Sequence, residues 1–153
     1  MKQIVDGFYS AIKSGDNDRL WALVHDDFTL VCPTRDHILS GVYQGKSRFF
    51  AEVLPLVFGC VDPEEIVFCN DHRILCADET TVVALAINKG RALSGEDYDQ
   101  TYLHIFKCVW GQILTLIEGF DTALANRALW GDTPALLADQ NFTIGSLDAL
   151  GFV

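Results

Sequence analysis

An α+β fold, with helices gathered in the first half and a mostly antiparallel sheet in the second, is predicted by three observations. Apolar residues recur at three- and four-residue intervals through the first helical segments and then at alternate positions from about residue 64. β-branched and aromatic residues concentrate in that second stretch. The chain has 153 residues, half of them hydrophobic, which suffices for one well-buried core but would leave two separate cores marginal.

Each element follows from local pattern. Ile4, Val5, Phe8, Ala11 and Ile12 share one face of a helix over residues 2–14, and Gly15 stops it. Asp16 or Asn17 can cap a second helix carrying Leu20, Trp21, Leu23 and Val24. In "HDDFTLVCP" the period changes: Phe28, Leu30 and Cys32 alternate with Thr29 and Val31, and Pro33 ends the strand. Residues 34–45 read as a turn-rich crossing, and "KSRFFAEVLPLVF" as a third helix that Pro55 should kink or end. Strands are expected near 65–77, 80–90, 98–109 and 112–121, followed by a short helix "TALANRALW" and a tail from about residue 132 to 153. No repeat or low-complexity tract interrupts this order.

Composition narrows the function classes. With 21 acidic against 11 basic residues the formal charge is −10, so the surface repels phosphate backbones and anionic lipid; nucleic-acid and membrane-surface roles are not expected. The five cysteines are odd in number, sit in apolar runs and form no C-x-x-C pair. They read as buried free thiols in a reducing compartment, and a cytoplasmic location is expected. Asp6 and Lys13 break the N-terminal apolar pattern, which argues against a signal peptide, and no run is long enough to span a membrane. The four histidines are never spaced i, i+2 or i, i+4, so no metal is expected.

Four segments resemble the nuclear transport factor 2-like superfamily, in particular SnoaL-like polyketide cyclases and relatives of ketosteroid isomerase. "FYSAIKSGDNDRLWALVHDDFTLVCP" is similar to the opening helix, "GD" junction, second helix and strand entry of that superfamily. "SGVYQGKSRFFAEVLP" resembles its G-x-Y-x-G turn into a third helix. "YLHIFKCVWGQI" is similar to its penultimate strand and tight turn, and "IEGFDTALANRALWG" to its closing segment. The resemblance spans about residues 4–131, a single SnoaL-like domain over 1–131. It leaves 132–153 as a tail packing on the domain or on a dimer partner. It implies a cone-shaped, strongly bent sheet wrapped by three helices around a largely apolar pocket. Isomerases, cyclases, dehydratases, epoxide hydrolases and pure binding modules share that architecture, so a pocket is implied more firmly than a reaction.

Laid on the ketosteroid isomerase pattern, the chain departs at each catalytic position. The helix tyrosine's place is taken by Phe8, with Tyr9 one step and about 100° away. The proton-moving aspartate is matched by Cys32, and the strand acid by His104. Steroid isomerisation is therefore not predicted. What remains is an ionisable pair on the last two strands. Alternation puts Tyr102, His104, Phe106 and Cys108 on one face, and Leu114, Leu116, Glu118 and Phe120 on one face of the next strand. A three-residue loop (Val109, Trp110, Gly111) would set His104 beside Leu116 and Glu118. A two-residue Trp110–Gly111 loop would bring Thr115, Ile117 and Asp121 there instead. The family pattern favours Glu118.

His104 then reads as a general base or acid assisted by Glu118, or alternatively as a core histidine bonded to a neighbour with Glu118 in solvent. Phe8, Tyr9, Trp21, Cys32, Tyr102, Leu116, Phe120 and Asp121 are the candidate pocket residues for a hydrophobic small molecule. His37, with Arg35 and Asp36, reads as solvated loop or pocket mouth, and His72 as strand bulge or edge. The functions in view are a cofactor-free isomerase or cyclase, a non-catalytic binding domain, and an assembly module; a homodimer is expected under all three.

Overall fold

The computed structural model describes residues 1–35 and 37–152; Asp36 lies outside them. Helix α1 (Lys2–Ser14) buries Val5, Phe8, Tyr9 and Ala11, and Gly15 closes it at φ 67°, the left-handed cap that its position called for. Asp16 caps α2 (Asn17–Leu23), its carboxylate accepting the Arg19 N–H at 3.0 Å. Strand β1 (Val24–Cys32) follows directly, buried on both faces from Phe28 to Cys32.

The crossing after β1 is not all turn. It contains strand β2 (Gly41–Gln44), antiparallel to β1, with Leu30 opposite Tyr43 and Cys32 opposite Gly41. Four residues are too few for alternation to show in the sequence. The third helical segment starts as α3 (Lys46–Arg48), widens into a π-helical turn (Phe49–Val53) and continues as α4 (Leu54–Phe58). Pro55 therefore does not end it. A π turn just upstream accommodates a ring that cannot donate to, and crowds, the carbonyl one turn earlier.

Strands β3 (Val61–Ala77), β4 (Thr81–Ala92), β5 (Thr101–Val109) and β6 (Gln112–Phe120) complete a strongly curled, unclosed sheet in the order β2-β1-β6-β5-β4-β3. Neighbours are antiparallel except β1 and β6, which run parallel with Leu30 beside Leu116. Helices α1, α2 and α3–α4 lie against the inner face, where Val5, Phe8, Leu20 and Phe49 join Leu30, Phe106 and Leu116 in one core. After β6 come α5 (Thr122–Ala125) and a second π-helical turn (Asn126–Trp130).

The segment beyond residue 131 runs back over the outer side of the sheet. Leu136 bridges Leu39, Gln140 bridges Val42, and Asp139 accepts the Gln44 N–H at 2.8 Å and Arg48 Nη1 at 2.5 Å. Around and after the short helix α6 (Ser146–Ala149), Phe142, Leu147, Leu150 and Phe152 cover Val31, Val42 and Ile117. No helix of the described residues is long and apolar enough to cross a membrane.

Candidate functional site

The site is built on the hairpin of β5 and β6. Its turn is the two-residue Trp110–Gly111 loop, both residues at positive φ (47° and 82°), with Val109 opposite Gln112. Continued without interruption, that loop would place Asp121 rather than Glu118 on the His104 face. A bulge intervenes: Cys108 pairs Ile113 but Lys107 pairs Thr115, leaving Leu114 as the extra residue. The bulge restores the phase, and His104 stands directly opposite Glu118. Leu114 thus leaves the inner face, and buried Ile113 takes the position expected for it.

His104 is 2% exposed and is engaged at both ring nitrogens. Nδ1 meets the Tyr9 hydroxyl at 2.9 Å, and Nε2 meets Glu118 Oε2 at 3.1 Å. Tyr9 remains a neutral hydroxyl, since burial first, and then the nearby Cys69 and the carboxylates of Glu118 and Asp6, push its pKa far above the ordinary value. Where Tyr9 donates to Nδ1 the imidazole proton stands on Nε2 and is donated to Glu118; where Nδ1 carries a proton, the Tyr9 oxygen accepts it. The imidazole has no free nitrogen. Glu118 lines the pocket, with Oε2 held by His104 and Oε1 without a partner among the described residues.

The pocket lies between the inner face of the sheet and α3–α4. Phe8, Leu30, Leu116 and Phe120 contribute apolar surface, with Phe49, Val53 and Phe58 facing them. Its cavity is about 70 Å³, room for roughly two waters. Tyr102 stacks on His104 at 5.3 Å, and its hydroxyl lies 3.1 Å from that of Tyr98 and accepts from Asn88 Nδ2 at 3.3 Å. Burial holds Tyr102 well above the ordinary phenol value and pushes Tyr98 up to about 12, so both line the pocket as neutral hydroxyls. Glu118 is the sole charged residue among the described residues lining the cavity. A phosphate-bearing cofactor would meet no cation there. No group of three or more metal-ligating side chains occurs among the described residues.

Of the candidates, His104, Glu118, Phe8, Tyr102, Leu116 and Phe120 line the cavity. Tyr9 does not; one step round α1 from Phe8, it reaches the far side of His104. Three others stand elsewhere. Trp21, 44% exposed, is about 100° round its helix from buried Leu20 and packs against Phe50, with Lys46 Nζ 4.5 Å over its ring. Cys32 is sealed in the core, off the cavity wall, and burial raises its pKa well above the thiol range, which removes it as a nucleophile. Asp121 is an exposed helix cap, accepting the Leu124 N–H at 3.0 Å. His72 lies on edge strand β3, bonds Asp6 at 2.9 Å and stacks on Tyr9 at 4.3 Å. His37 is buried rather than solvated, at 5% exposure.

Tyr98 and Cys69 are pocket residues that sequence reasoning did not single out. Tyr98 stands in the polar run "GEDYDQ", where nothing local marks a buried ring. Cys69 sits at φ 51°, its N–H held by Asn88 Oδ1 at 3.0 Å, a strand irregularity invisible to alternation.

No protein-family model matches the chain, and no curated protein does. Solved structures do. An NTF2-like protein of unknown function from Burkholderia pseudomallei is 21% identical, with a TM-score of 0.69 over 84% of this chain and 95% of that one. A protein of unknown function with a cystatin-like fold from Xanthomonas campestris is 19% identical, with a TM-score of 0.67 over 80% and 92%. A candidate polyketide cyclase from Pseudomonas putida is 17% identical, with a TM-score of 0.63 over 82% and 95%. The chain has the NTF2-like, cystatin-like fold. At these identities the likeness carries architecture alone.

Proposed function

We propose that the pocket takes a hydrophobic carbonyl compound and that Glu118 moves a proton on the carbon beside the carbonyl, with no metal or cofactor. The observation that supports this reading is the hydrogen-bond chain Tyr9–His104–Glu118, which runs from the buried core and ends on a carboxylate in an apolar cavity. Glu118 Oε1 removes the proton as the C–H bond breaks, and the bonding electrons pass to the carbonyl oxygen, forming an enolate. A neutral hydroxyl of Tyr98 or Tyr102 donates to that oxygen. Return of the proton from Glu118, to the same or a conjugated carbon, regenerates the carboxylate. His104 keeps its proton on Nε2 and anchors Oε2 throughout.

Solvent deuterium uptake at the methyl group of 2-acetylnaphthalene, followed by proton NMR, tests the proposal. The protein should accelerate uptake over buffer, and Glu118→Gln should abolish the acceleration while leaving a folded protein. Wild-type uptake in Glu118→Gln overturns it.

A second reading is favoured by the size of the cavity. At about 70 Å³ it lies well below the roughly 300–1,000 Å³ of ordinary small-molecule sites, so a two-ring ligand must displace side chains at the wall. Binding of the same ketone without deuterium uptake would identify a carrier or sensor rather than an enzyme.

A further inference from the structure

His37 is the buried titratable group that the proton-transfer chain does not use. Its Nδ1 lies 3.3 Å from the Leu39 N–H and 3.4 Å from the Leu39 carbonyl, so the local geometry alone admits either tautomer. The surroundings decide between them. The Leu39 carbonyl already accepts the Thr34 hydroxyl at 2.7 Å, whereas the N–H of buried Leu39 has no acceptor other than Nδ1 among the described residues. With Nδ1 accepting that N–H, the proton resides on Nε2. That Nε2 is buried and has no hydrogen-bond partner among the described residues. An orphaned buried donor costs about 1–3 kcal/mol, unusual enough to require a reason.

Its position supplies one. The His37 ring stands edge-to-face against Phe120 at 5.2 Å and Trp130 at 5.1 Å, and both rings line the cavity that holds Glu118. The imidazole is thus one side chain back from the cavity. Trp130 is pinned by its indole N–H on the Leu56 carbonyl at 3.0 Å, while Phe120 is half-buried and carries no polar anchor. Phe120 is thus held at the wall by apolar packing alone. An aromatic face is at best a weak acceptor, so an oxygen reaching Nε2 would replace a poor contact with a full hydrogen bond.

We propose that His37 is a specificity residue of this pocket: with Phe120 turned aside, its Nε2–H donates to an acceptor oxygen on the part of the ligand remote from the carbon that Glu118 addresses. The inference rests on the pocket reading above and adds the substrate class, a hydrophobic carbonyl compound with a second, acceptor-bearing end. It also accounts for the narrowness of the empty cavity, because Phe120 occupies space that the ligand takes.

Two measurements test it. Long-range 15N–1H NMR of the wild-type imidazoles near neutral pH should show His37 protonated on Nε2; an Nδ1–H tautomer overturns the proposal whatever binds in the pocket. Titration with 2-acetylnaphthalene and with 2-acetyl-6-methoxynaphthalene, which adds a distal acceptor, should show the methoxy compound binding about tenfold more tightly. His37→Phe should erase that preference, and His37→Gln, whose amide can donate from a similar position, should restore most of it, with circular dichroism confirming both folds. Equal affinities in wild type, or a preference that survives His37→Phe, overturns the proposal. If neither ketone binds while the Nε2–H tautomer is found, the pocket reading has failed and this inference with it. Binding of both with no methoxy preference sinks the inference alone.

Discussion

The side chain that matters most is Glu118, and its importance arises from what surrounds His104. An imidazole bonded at both nitrogens takes up a further proton at Nδ1 only if the Tyr9 hydroxyl turns to accept it, so in the proposed reaction His104 serves as a holder. Tyr9→Phe removes the hydroxyl from Nδ1 and leaves that nitrogen buried and unpaired. The expected result is about 1–3 kcal/mol lower stability by urea denaturation and a partial loss of deuterium uptake, against complete loss for Glu118→Gln. His37 makes a separate prediction. Burial lowers its pKa from 6.5. Below pH 6.5 the unfolded chain therefore takes up a proton that the folded chain refuses, and stability falls as pH drops towards the folded-state value. Thermal denaturation between pH 7 and pH 5 should show a shallower decline for His37→Phe than for wild type.

At the scale of elements, the β5–β6 hairpin shows how much of the site was legible. Inward placement of Tyr102, His104, Phe106 and Cys108 follows from alternation, and the structure has all four buried. The pairing of His104 with Glu118 was chosen on family pattern with a three-residue loop; the structure reaches it with a two-residue turn and a bulge at Leu114. Turn length and register are coupled only where the ladder is regular, and nothing in "GQILTLIE" marks the interruption. The join between tail and β2 carries its own prediction. Gly41 has φ 113°, and a Cβ there would fall 2.5 Å from the Gln140 carbonyl. Gly41→Ala should lower the melting temperature by several degrees and release the tail, read as faster amide exchange around residues 136–142. Asp139 ties the same join: the Gln44 N–H first, and Arg48 with it, hold its carboxyl below the usual range. Its contribution is present above pH 3.8 and fades as acid protonates it.

On the whole molecule, the tail divides the outer face of the sheet in two. Phe142, Leu147, Leu150 and Phe152 cover one part, while Leu85, Ile87 and Leu103 stand 37%, 42% and 44% exposed on the other. Leu85 and Leu103 are directly paired across β4 and β5, so the stripe is continuous. We propose that a second copy of this chain covers it, because a two-fold contact juxtaposes a patch with itself. An apolar stripe tolerates that arrangement on a chain of charge −10, where a charged patch would not. Sedimentation should give a dimer that Leu103→Glu converts to monomer; a wild-type monomer at micromolar concentration overturns the proposal.

Taken alone, the sequence determined the succession of helices and long strands and the inward face of β5, since these follow from periodicity within short windows, while the NTF2-like architecture was implied by resemblance to a known superfamily. Only the tertiary structure decided which groups meet the two nitrogens of His104. That placement rests on a tyrosine 95 residues from the histidine it contacts and on a bulge that re-phases a strand. Each is a contact between groups whose separation along the chain leaves no local signature.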